Sequence, residues 1–197
     1  MEYGSVMEKR SASDPIGDAE LIRRYVGGDE AAFEELYFRY RRLLYGFLNN
    51  LIRGDAAAVD EVFEETWLRV IAELPRYRDD GKFGAWLFRI ARNKYFDRYR
   101  RQSRRKEAEL SEPVMAVAID ETLPEPDRAL NNQELQELIG RAMDELSPEQ
   151  REVFLLRQND VGFKEIAEIQ HCSLNTALSR MQYAVKNLRR ILTEAGV

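Results

Sequence analysis

Apolar residues recur at helical spacing along most of the chain, and no stretch shows the strict alternation that is typical of a half-buried β-strand. The clearest helix follows the break at Gly27-Gly28-Asp29, where Asp29 stands in position to cap the first turn. One face of this helix is apolar at Phe33, Leu36, Tyr37, Tyr40, Leu44, Phe47, Leu48 and Leu51. The pattern predicts an all-α protein.

Three further helices are predicted around this one. The first begins near Ala19, another spans about Ala56 to Glu73 and ends at Leu74-Pro75, and the last runs from near Gly84 to about Arg101. Together the four would form one small bundle over residues 19–102. Residues 1–18 are polar, and we expect them to be frayed and disordered.

The composition changes between Gln102 and Asn132. Three of the six prolines (Pro113, Pro124 and Pro126) lie in this segment, and residues 107–130 carry 7 acidic groups against 1 basic group. This composition is typical of a linker. We therefore predict a flexible acidic linker over 103–132 and a second small helical domain over 133–197.

The second domain begins with two predicted helices. Apolar positions from Leu135 to Leu146 imply a helix that ends before Ser147. Ser147 with Gln150 forms a capping-box pattern, and Pro148 occupies the first helical position, where proline is favoured. A new helix is therefore expected to begin there.

The last segment is predicted as helix, tight turn and helix. Phe163 to Ile169 form the first helix, Gln170 to Ser173 the turn, and the second helix begins at Leu174. Small Ala167 permits the close helix crossing that a helix-turn-helix requires. Beside the apolar stripe of the last helix stand polar side chains that can bond base edges or phosphates. An ordinary helical hairpin with a polar face is the alternative interpretation.

The formal net charge of −5 disfavours a nucleic-acid partner until it is divided along the chain. Residues 76–106 contain 12 basic and 3 acidic groups, whereas residues 107–154 contain 3 basic and 13 acidic groups. A polyanion responds to a local basic patch within a Debye length of roughly 8 to 10 Å. Phe83, Trp86, Tyr95 and Tyr99 lie in the basic segment and are candidates for stacking on unpaired bases, although some of these rings must belong to the core. Solvated helix faces are the alternative.

Cys172 and His171 are the single cysteine and histidine of the chain. This count excludes a disulfide framework and a Cys/His zinc site. No apolar stretch approaches the roughly 20 residues that cross a bilayer, and the N-terminus has no apolar signal core. We expect a cytoplasmic protein without membrane insertion, metal or cofactor.

Two motifs resemble the sigma-70 family of bacterial sigma factors. The segment from Leu146 through Ile169 to Leu188 is similar to the fourth conserved region of that family. Upstream, Asp60 to Arg69 resembles the helix that binds core polymerase, and Phe83 to Asn93 with Asp97-Arg98 resembles the promoter-melting helix that reads the minus-ten element. Because no third folded domain is expected between them, the chain is similar to the compact extracytoplasmic-function group.

The resemblance implies a four-helix sigma2-like bundle and a helix-turn-helix sigma4-like domain. It also implies a non-catalytic initiation subunit that binds the beta and beta-prime subunits of the RNA polymerase core, recognises promoter DNA and helps to open it. The family commonly has an anti-sigma factor as a further partner. A catalytic role for adjacent Glu64 and Glu65 is disfavoured, because neighbouring helical side chains point in different directions.

The resemblance also assigns residues to three surfaces. For the minus-thirty-five element it implies Ser173, Asn175, Thr176, Ser179, Arg180, Tyr183 and Lys186. For the minus-ten element and melting it implies Arg76, Lys82, Trp86, Arg89, Arg92, Asn93, Arg100 and Arg101. For core polymerase it implies Asp60, Glu61, Glu64, Glu65, Trp67 and Leu68.

The chain departs from the family pattern at several positions of the helix-turn-helix. Gln170 replaces a usual Leu, and His171 replaces a usual Gly in the turn, although His tolerates positive φ better than most residues. Leu178, Tyr183 and Val185 stand where Lys or Arg is common, so a promoter preference cannot be transferred from the family.

Alternatives remain open for individual features and for the whole chain. Trp67 can equally well pack inside its own bundle. The acidic linker can either imitate a strand of phosphates in the polymerase channel or serve as a plain solvated tether. For the whole chain, the alternatives are a stand-alone helix-turn-helix regulator and an adaptor with a degenerate DNA surface.

Overall fold

The computed structural model describes residues 16–78, 81–109 and 138–194. Within these ranges all regular structure is helical, as predicted. The N-terminal module contains α1 (Asp18–Val26), α2 (Glu30–Ile52), α3 (Ala56–Glu73), a 3₁₀ turn (Leu74–Arg76) and α4 (Phe83–Glu109). The C-terminal module contains α5 (138–144), α6 (Pro148–Gln158), α7 (Phe163–Ile169) and α8 (Leu174–Glu194).

The core of the N-terminal module is built from the apolar faces of α2, α3 and α4. Phe47 of α2 and Phe88 of α4 are both buried, with their ring centroids 5.1 Å apart. Val59 and Val62 of α3 are buried in the same cluster. A bundle of this kind presents α3 and α4 as neighbouring helices, each with one face in the core and the other available for partners.

Local signals set most helix boundaries, and two of them act differently from expectation. Ser147 and Gln150 form the predicted capping box, with both hydrogen bonds at 3.3 Å. Asp29 precedes α2 without a side-chain capping bond, and its Oδ2 accepts from Arg24 at 2.6 and 2.8 Å. Asp55 caps α3 by accepting from the Ala58 N–H at 2.9 Å, a signal that sequence analysis missed.

The ends of the N-terminal module also differ from expectation. Asp18 is the first residue of α1 rather than part of a frayed tail, and it accepts from Arg39 of α2 at 2.6 Å. α4 continues past Arg101 to Glu109, because Arg, Lys, Glu and Ala are good helix formers. The predicted linker over 103–132 is wrong at its start, since residues 103–109 belong to α4, and α5 lies within the helix predicted from Leu135 to Leu146. The expected disorder of residues 1–15, the rest of the linker and the first turn of that helix lie outside the described residues.

The two modules pack directly against each other. α2 contacts α6, and α4 contacts α7. Buried apolar residues of α2, α3 and α4 belong to the same continuous cluster as Val153 and Leu156 of α6 and Ile166 of α7. In the ranges described, no helix combines the length and apolar character needed to span a membrane.

Candidate nucleic-acid and polymerase interfaces

The turn between α7 and α8 is tight and hydrogen-bonded. The Gln170 N–H donates to the Ile166 carbonyl at 2.8 Å, and the Cys172 N–H donates to the Ala167 carbonyl at 2.9 Å. His171 sits between them at φ 51°, in the left-handed region that favours glycine. The substitution of histidine for glycine therefore preserves the turn.

One face of α8 forms an exposed polar ridge. Asn175, Ser179, Tyr183 and Lys186 follow one another at helical spacing and are all exposed, with Tyr183 at 60%. Ala177, Ala184 and Ile191 are buried on the opposite side. We call these four exposed residues the α8 ridge. Because these side chains are exposed, they can enter a groove of DNA while the module stays folded.

Two of the other predicted minus-thirty-five residues are already engaged near the start of α8. The Ser173 hydroxyl accepts from the Thr176 N–H at 3.1 Å, and the two hydroxyls lie 2.8 Å apart. Ser173 therefore caps the helix. Thr176 is half-buried, so its contribution to an outer surface is smaller than that of the ridge.

Arg180 is held by a polar network that starts at Gln170. Arg180 Nη1 donates to Gln170 Oε1 at 2.9 Å. Gln170 Nε2 in turn donates to Glu152 Oε2 at 2.8 Å and to the Glu149 carbonyl at 3.0 Å. The usual Leu could make none of these bonds, so the departure at Gln170 creates a buried polar connection between α6 and α8.

Glu152 is the centre of this network and was not identified from the sequence. Its side chain is 3% exposed, and Arg92 Nε of α4 donates to its other carboxylate oxygen at 2.5 Å. Burial raises the pKa of Glu152, while the charges and hydrogen bonds of Arg92 and Gln170 oppose that shift. The sequence gives no sign that Glu152 is buried, and its partner Arg92 is identified only from the ion pair in the folded chain.

A basic cleft opens beside the N-terminal end of α4. It encloses about 500 Å³, and Tyr77 and Trp86 stack within it at a centroid distance of 4.4 Å and an interplanar angle of 32°. Trp86 is half-buried, so part of its ring is left for a ligand. The basic cleft is lined on this side by Arg76, Arg78, Lys82 and Arg89.

The opposite wall of the basic cleft belongs to α7. Glu165, Glu168 and Ile169 line it, and Lys82 Nζ lies 2.9 Å from Glu165 Oε1. The hydrogen bond from Lys82 lowers the pKa of the Glu165 carboxyl. With Glu73 of α3, three carboxylates therefore line the same cleft as the cations that the sequence assigns to promoter DNA.

The predicted minus-ten residues divide into two groups. Arg76, Lys82, Trp86 and Arg89 come together in the basic cleft. The remaining four lie further along α4: Arg92 faces Glu152, Asn93 is exposed, and Arg100 and Arg101 are exposed beside Asp97 and Glu65 at 3.6 and 3.7 Å.

The predicted core-polymerase residues also divide. Trp67 is 5% exposed and packs edge-on against Tyr37 at 4.9 Å, so it belongs to the bundle core rather than to an outer surface. Glu61 and Glu65 face α4, where they pair with Arg98 at 2.9 Å and Lys94 at 3.2 Å. Trp67 therefore packs inside its own bundle, whereas Glu61 and Glu65 keep 49% and 30% of their side chains exposed beside α4, and their contact with core polymerase stays a prediction.

An outer face of α3 remains. Asp60, Glu64 and Leu68 lie at helical spacing and are exposed, with Leu68 at 67%. Phe38 and Tyr45 of neighbouring α2 are exposed as well, and the Tyr45 hydroxyl donates to Asp60 at 2.9 Å. We call this set the α2–α3 face. Sequence analysis missed its α2 residues, although apolar Phe38 falls outside the buried stripe and could have signalled a second apolar surface.

Comparison with known proteins gives two family matches. The description Sigma-70 region 2 matches residues 36–105, and Sigma-70, region 4 matches residues 136–188. The ECF RNA polymerase sigma-E factor of Escherichia coli (strain K12) is 27% identical over 176 residues, covering 86% of this chain and 91% of that protein. The RNA polymerase sigma-H factor of Pseudomonas aeruginosa is 26% identical over 191 residues, covering 90% of this chain and 97% of that protein.

Two solved structures share the fold. A sigma factor RpoE bound to the anti-sigma factor NepR, from Bartonella quintana, has a TM-score of 0.64 at 23% identity and covers 82% of this chain and 96% of its own. CnrH in complex with the cytosolic domain of CnrY has a TM-score of 0.62 at 23% identity and covers 90% of this chain and 97% of its own.

Proposed function

This chain belongs to the sigma-70 family of RNA polymerase sigma factors, and we propose that it directs core polymerase to its own set of promoters and helps to open them. In this proposal it is a non-catalytic initiation subunit that acts in the cytoplasm, with residues 19–102 contacting polymerase and the minus-ten element. Residues 133–197 read the minus-thirty-five element.

The α8 ridge is the observation that carries the proposal. Asn175, Ser179, Tyr183 and Lys186 project from one face of a 21-residue helix whose opposite face is buried. An α-helix about 10 to 12 Å across fits the major groove, which is about 12 Å wide. Asn175 is the candidate for reading a base edge, and Lys186 is the candidate for a phosphate contact.

The basic cleft supports the second half of the proposal. Four cations surround the stacked Tyr77 and Trp86. Cations along a groove with aromatic rings between them favour unpaired DNA, because stacking contributes about 1 to 3 kcal/mol per base and tolerates any sequence. We propose that this cleft takes the opened minus-ten strand, with Asn93 and the arginines Arg100 and Arg101 following it along α4.

The α2–α3 face fits the polymerase core. Leu68 with Phe38 supplies an apolar centre, and Asp60 with Glu64 supplies an acidic rim. A centre and rim of this kind suit a coiled-coil partner that carries Arg or Lys. We propose this face as the contact with the beta and beta-prime subunits. Because one structural neighbour is bound to a partner named as an anti-sigma factor, an anti-sigma factor is proposed as a further partner.

Run-off transcription tests the function directly. Purified core polymerase is incubated with genomic fragments in the presence and absence of the chain, and the 5′ ends of transcripts are mapped. We expect defined start sites that require both components. Duplex binding by the chain alone with no transcripts would favour a stand-alone regulator, and neither binding nor transcripts on any fragment would favour an adaptor.

A further inference from the structure

A buried amide in the turn between α7 and α8 holds one of the residues that are predicted to read the minus-thirty-five element. Gln170 is 8% exposed, and its Oε1 accepts from Arg180 Nη1 at 2.9 Å. Arg180 follows Ser179 of the α8 ridge and precedes the buried Ala184 by one helical turn. It therefore lies at the border between the ridge and the buried side of the helix. A long side chain at such a border has many rotamers, and the bond to Gln170 selects among them.

The orientation of the Gln170 amide is fixed by its other partners. Nε2 donates to Glu152 Oε2 at 2.8 Å and to the Glu149 carbonyl at 3.0 Å, which uses both of its hydrogens. A backbone carbonyl cannot bond an amide oxygen, so Oε1 has to point toward Arg180, whose guanidinium has donors only. The contact with Arg180 is therefore the end of a chain of bonds that is anchored in α6.

The acceptor that holds Arg180 is neutral, in contrast to the acceptors of other arginines in the same module. Arg190 Nη2 lies 2.7 Å from Glu145 Oε2, and Arg151 Nη2 lies 3.8 Å from Asp144 Oδ1. A carboxylate would cancel the charge of Arg180, whereas an amide restrains the guanidinium and leaves it cationic. The bond that Arg180 makes within the described residues uses Nη1, so the Nε–Nη2 edge of its guanidinium stays available to DNA.

We propose that Gln170 is a positioning residue for sequence recognition: it holds Arg180 in place so that the Nε–Nη2 edge reads a guanine of the minus-thirty-five element. Two parallel N–H donors match O6 and N7 of guanine in the major groove. A guanidinium that is oriented before binding loses less rotamer freedom when it forms these bonds. The inference rests on the proposed function, since it uses the same helix and the same promoter element.

A double-mutant cycle on promoter discrimination is the first test. Holoenzymes are prepared with the native chain, Gln170→Met, Arg180→Ala and the double variant. The affinity of each is measured for duplexes that carry the mapped minus-thirty-five element or single base-pair changes in it. We expect the native chain to favour one G·C pair by about tenfold, and each of the three variants to favour it by about twofold or less.

Three results of this cycle would overturn the proposal. They are unchanged discrimination in Gln170→Met, an equal loss of affinity at every base pair, and a further loss of discrimination when Gln170→Met is added to Arg180→Ala. The last result would mean that the amide acts on DNA by a route other than the guanidinium. Gln170→Leu, with the residue that is usual in the family, is the second variant and should behave as Gln170→Met does.

Gln150→Met is the matched control, because it makes the same substitution in the same module. Gln150 Oε1 accepts from the Ser147 N–H at 3.3 Å in the capping box, so its loss weakens α6 without releasing Arg180. We expect the discrimination of this control to match that of the native chain. An equal loss in Gln150→Met and Gln170→Met would trace the effect to stability and contradict the positioning role.

The mobility of Arg180 in the full chain without DNA separates the inference from the function on which it rests. In a chain with ¹⁵N-labelled arginine, the Nε–H signal of Arg180 is identified by its loss in Arg180→Ala. We expect its order parameter to be near about 0.85 in the native chain and below about 0.6 in Gln170→Met. If this change occurs and no promoter-dependent transcription is found, the restraint on Arg180 stands while the initiation role fails. If transcription occurs and the guanidinium is equally mobile in both chains, the positioning is wrong and the function stands.

Discussion

The α8 ridge and the basic cleft are both assigned to promoter DNA, yet one is open and the other is occupied. Asn175 and Tyr183 of the ridge face outward with no other module against them. In the basic cleft, Lys82 is paired with Glu165, and Arg92 is paired with Glu152 just beyond it. The two surfaces thus have similar chemistry and different availability.

This difference shows that a cluster of basic residues predicts a surface for anionic groups. It does not predict whether DNA or carboxylates of the same chain pair with that surface. Residues 76–106 are strongly basic, and the segment that follows is strongly acidic. Two of the acidic groups that meet these cations, Glu152 and Glu165, come from beyond residue 150. The fold therefore decides which opposite charges meet.

The largest effect is expected when the buried partner of the occupied surface is removed. Glu152→Ala leaves Arg92 and Gln170 without their shared acceptor, which costs about 3 kcal/mol in the free energy of unfolding. Glu165→Ala, at the more exposed pair, should cost no more than about 1 kcal/mol. Urea denaturation of the full chain measures both. Equal losses would mean that the two pairs are not buried to different degrees.

The second prediction sharpens the comparison at the open surface. Asn175→Ala should weaken promoter binding by about 1 to 3 kcal/mol only where its base pair is present, because a base-edge contact discriminates between sequences. Lys186→Ala should weaken binding to all sequences and reduce the salt dependence by about one phosphate contact. Holoenzyme binding to promoters that carry single base-pair changes in the minus-thirty-five element, at several salt concentrations, distinguishes the two.

Neither ridge substitution should change the stability of the chain, since both side chains are exposed. The measured free energy of unfolding is therefore the control. A uniform effect of Asn175→Ala across every promoter variant would contradict its assignment to a base edge and reduce it to a phosphate contact.

Much of the fold could be predicted from local pattern. Helical periodicity located α2 and α3, and the capping box at Ser147 placed the start of α6, because both signals depend on residues within a few positions of each other. The end of α4 was predicted too early, at about Arg101, because charged residues without an apolar stripe still favour a helix.

The sites were less predictable, because they depend on which helices meet. The sequence identified the cations of the basic cleft and the polar side of α8, since both are runs of suitable residue types. It did not reveal that Glu61 and Glu65 pair with cations of α4, or that Glu152 is buried against Arg92. Those outcomes depend on long-range packing, about which residue type and spacing carry little information.

The third prediction concerns the residue that connects the two surfaces. Gln170→Leu restores the residue that is usual in the family and removes the bonds to Arg180, to Glu152 and to the Glu149 carbonyl. Because Glu152 loses a donor while remaining buried, we expect a loss of about 1 to 2 kcal/mol in the free energy of unfolding. Arg180 loses the acceptor that holds its guanidinium in place. Any change that Gln170→Leu causes in the affinity for the minus-thirty-five element should therefore also be seen with Arg180→Ala. A fully stable Gln170→Leu chain would show that the network contributes nothing beyond apolar packing.

The smallest expected effect is a dependence of stability on pH that belongs to the occupied surface alone. Burial raises the pKa of Glu152, so the folded chain holds the proton of this carboxyl more tightly than the unfolded chain does. The stabilisation that this proton contributes to the folded chain is fully present below the ordinary pKa of a glutamic acid. It is lost as the pH rises through the raised pKa of the folded chain.

The free energy of unfolding of the native chain should therefore increase, relative to Glu152→Gln, as the pH is lowered from 7 toward the ordinary pKa. Subtracting the two denaturation curves at each pH removes the contribution of other carboxyls such as Glu165, whose pKa is shifted downward. Parallel curves would show that Glu152 titrates as a solvated group, and the contrast between an occupied cleft and an open ridge would then lose its electrostatic basis.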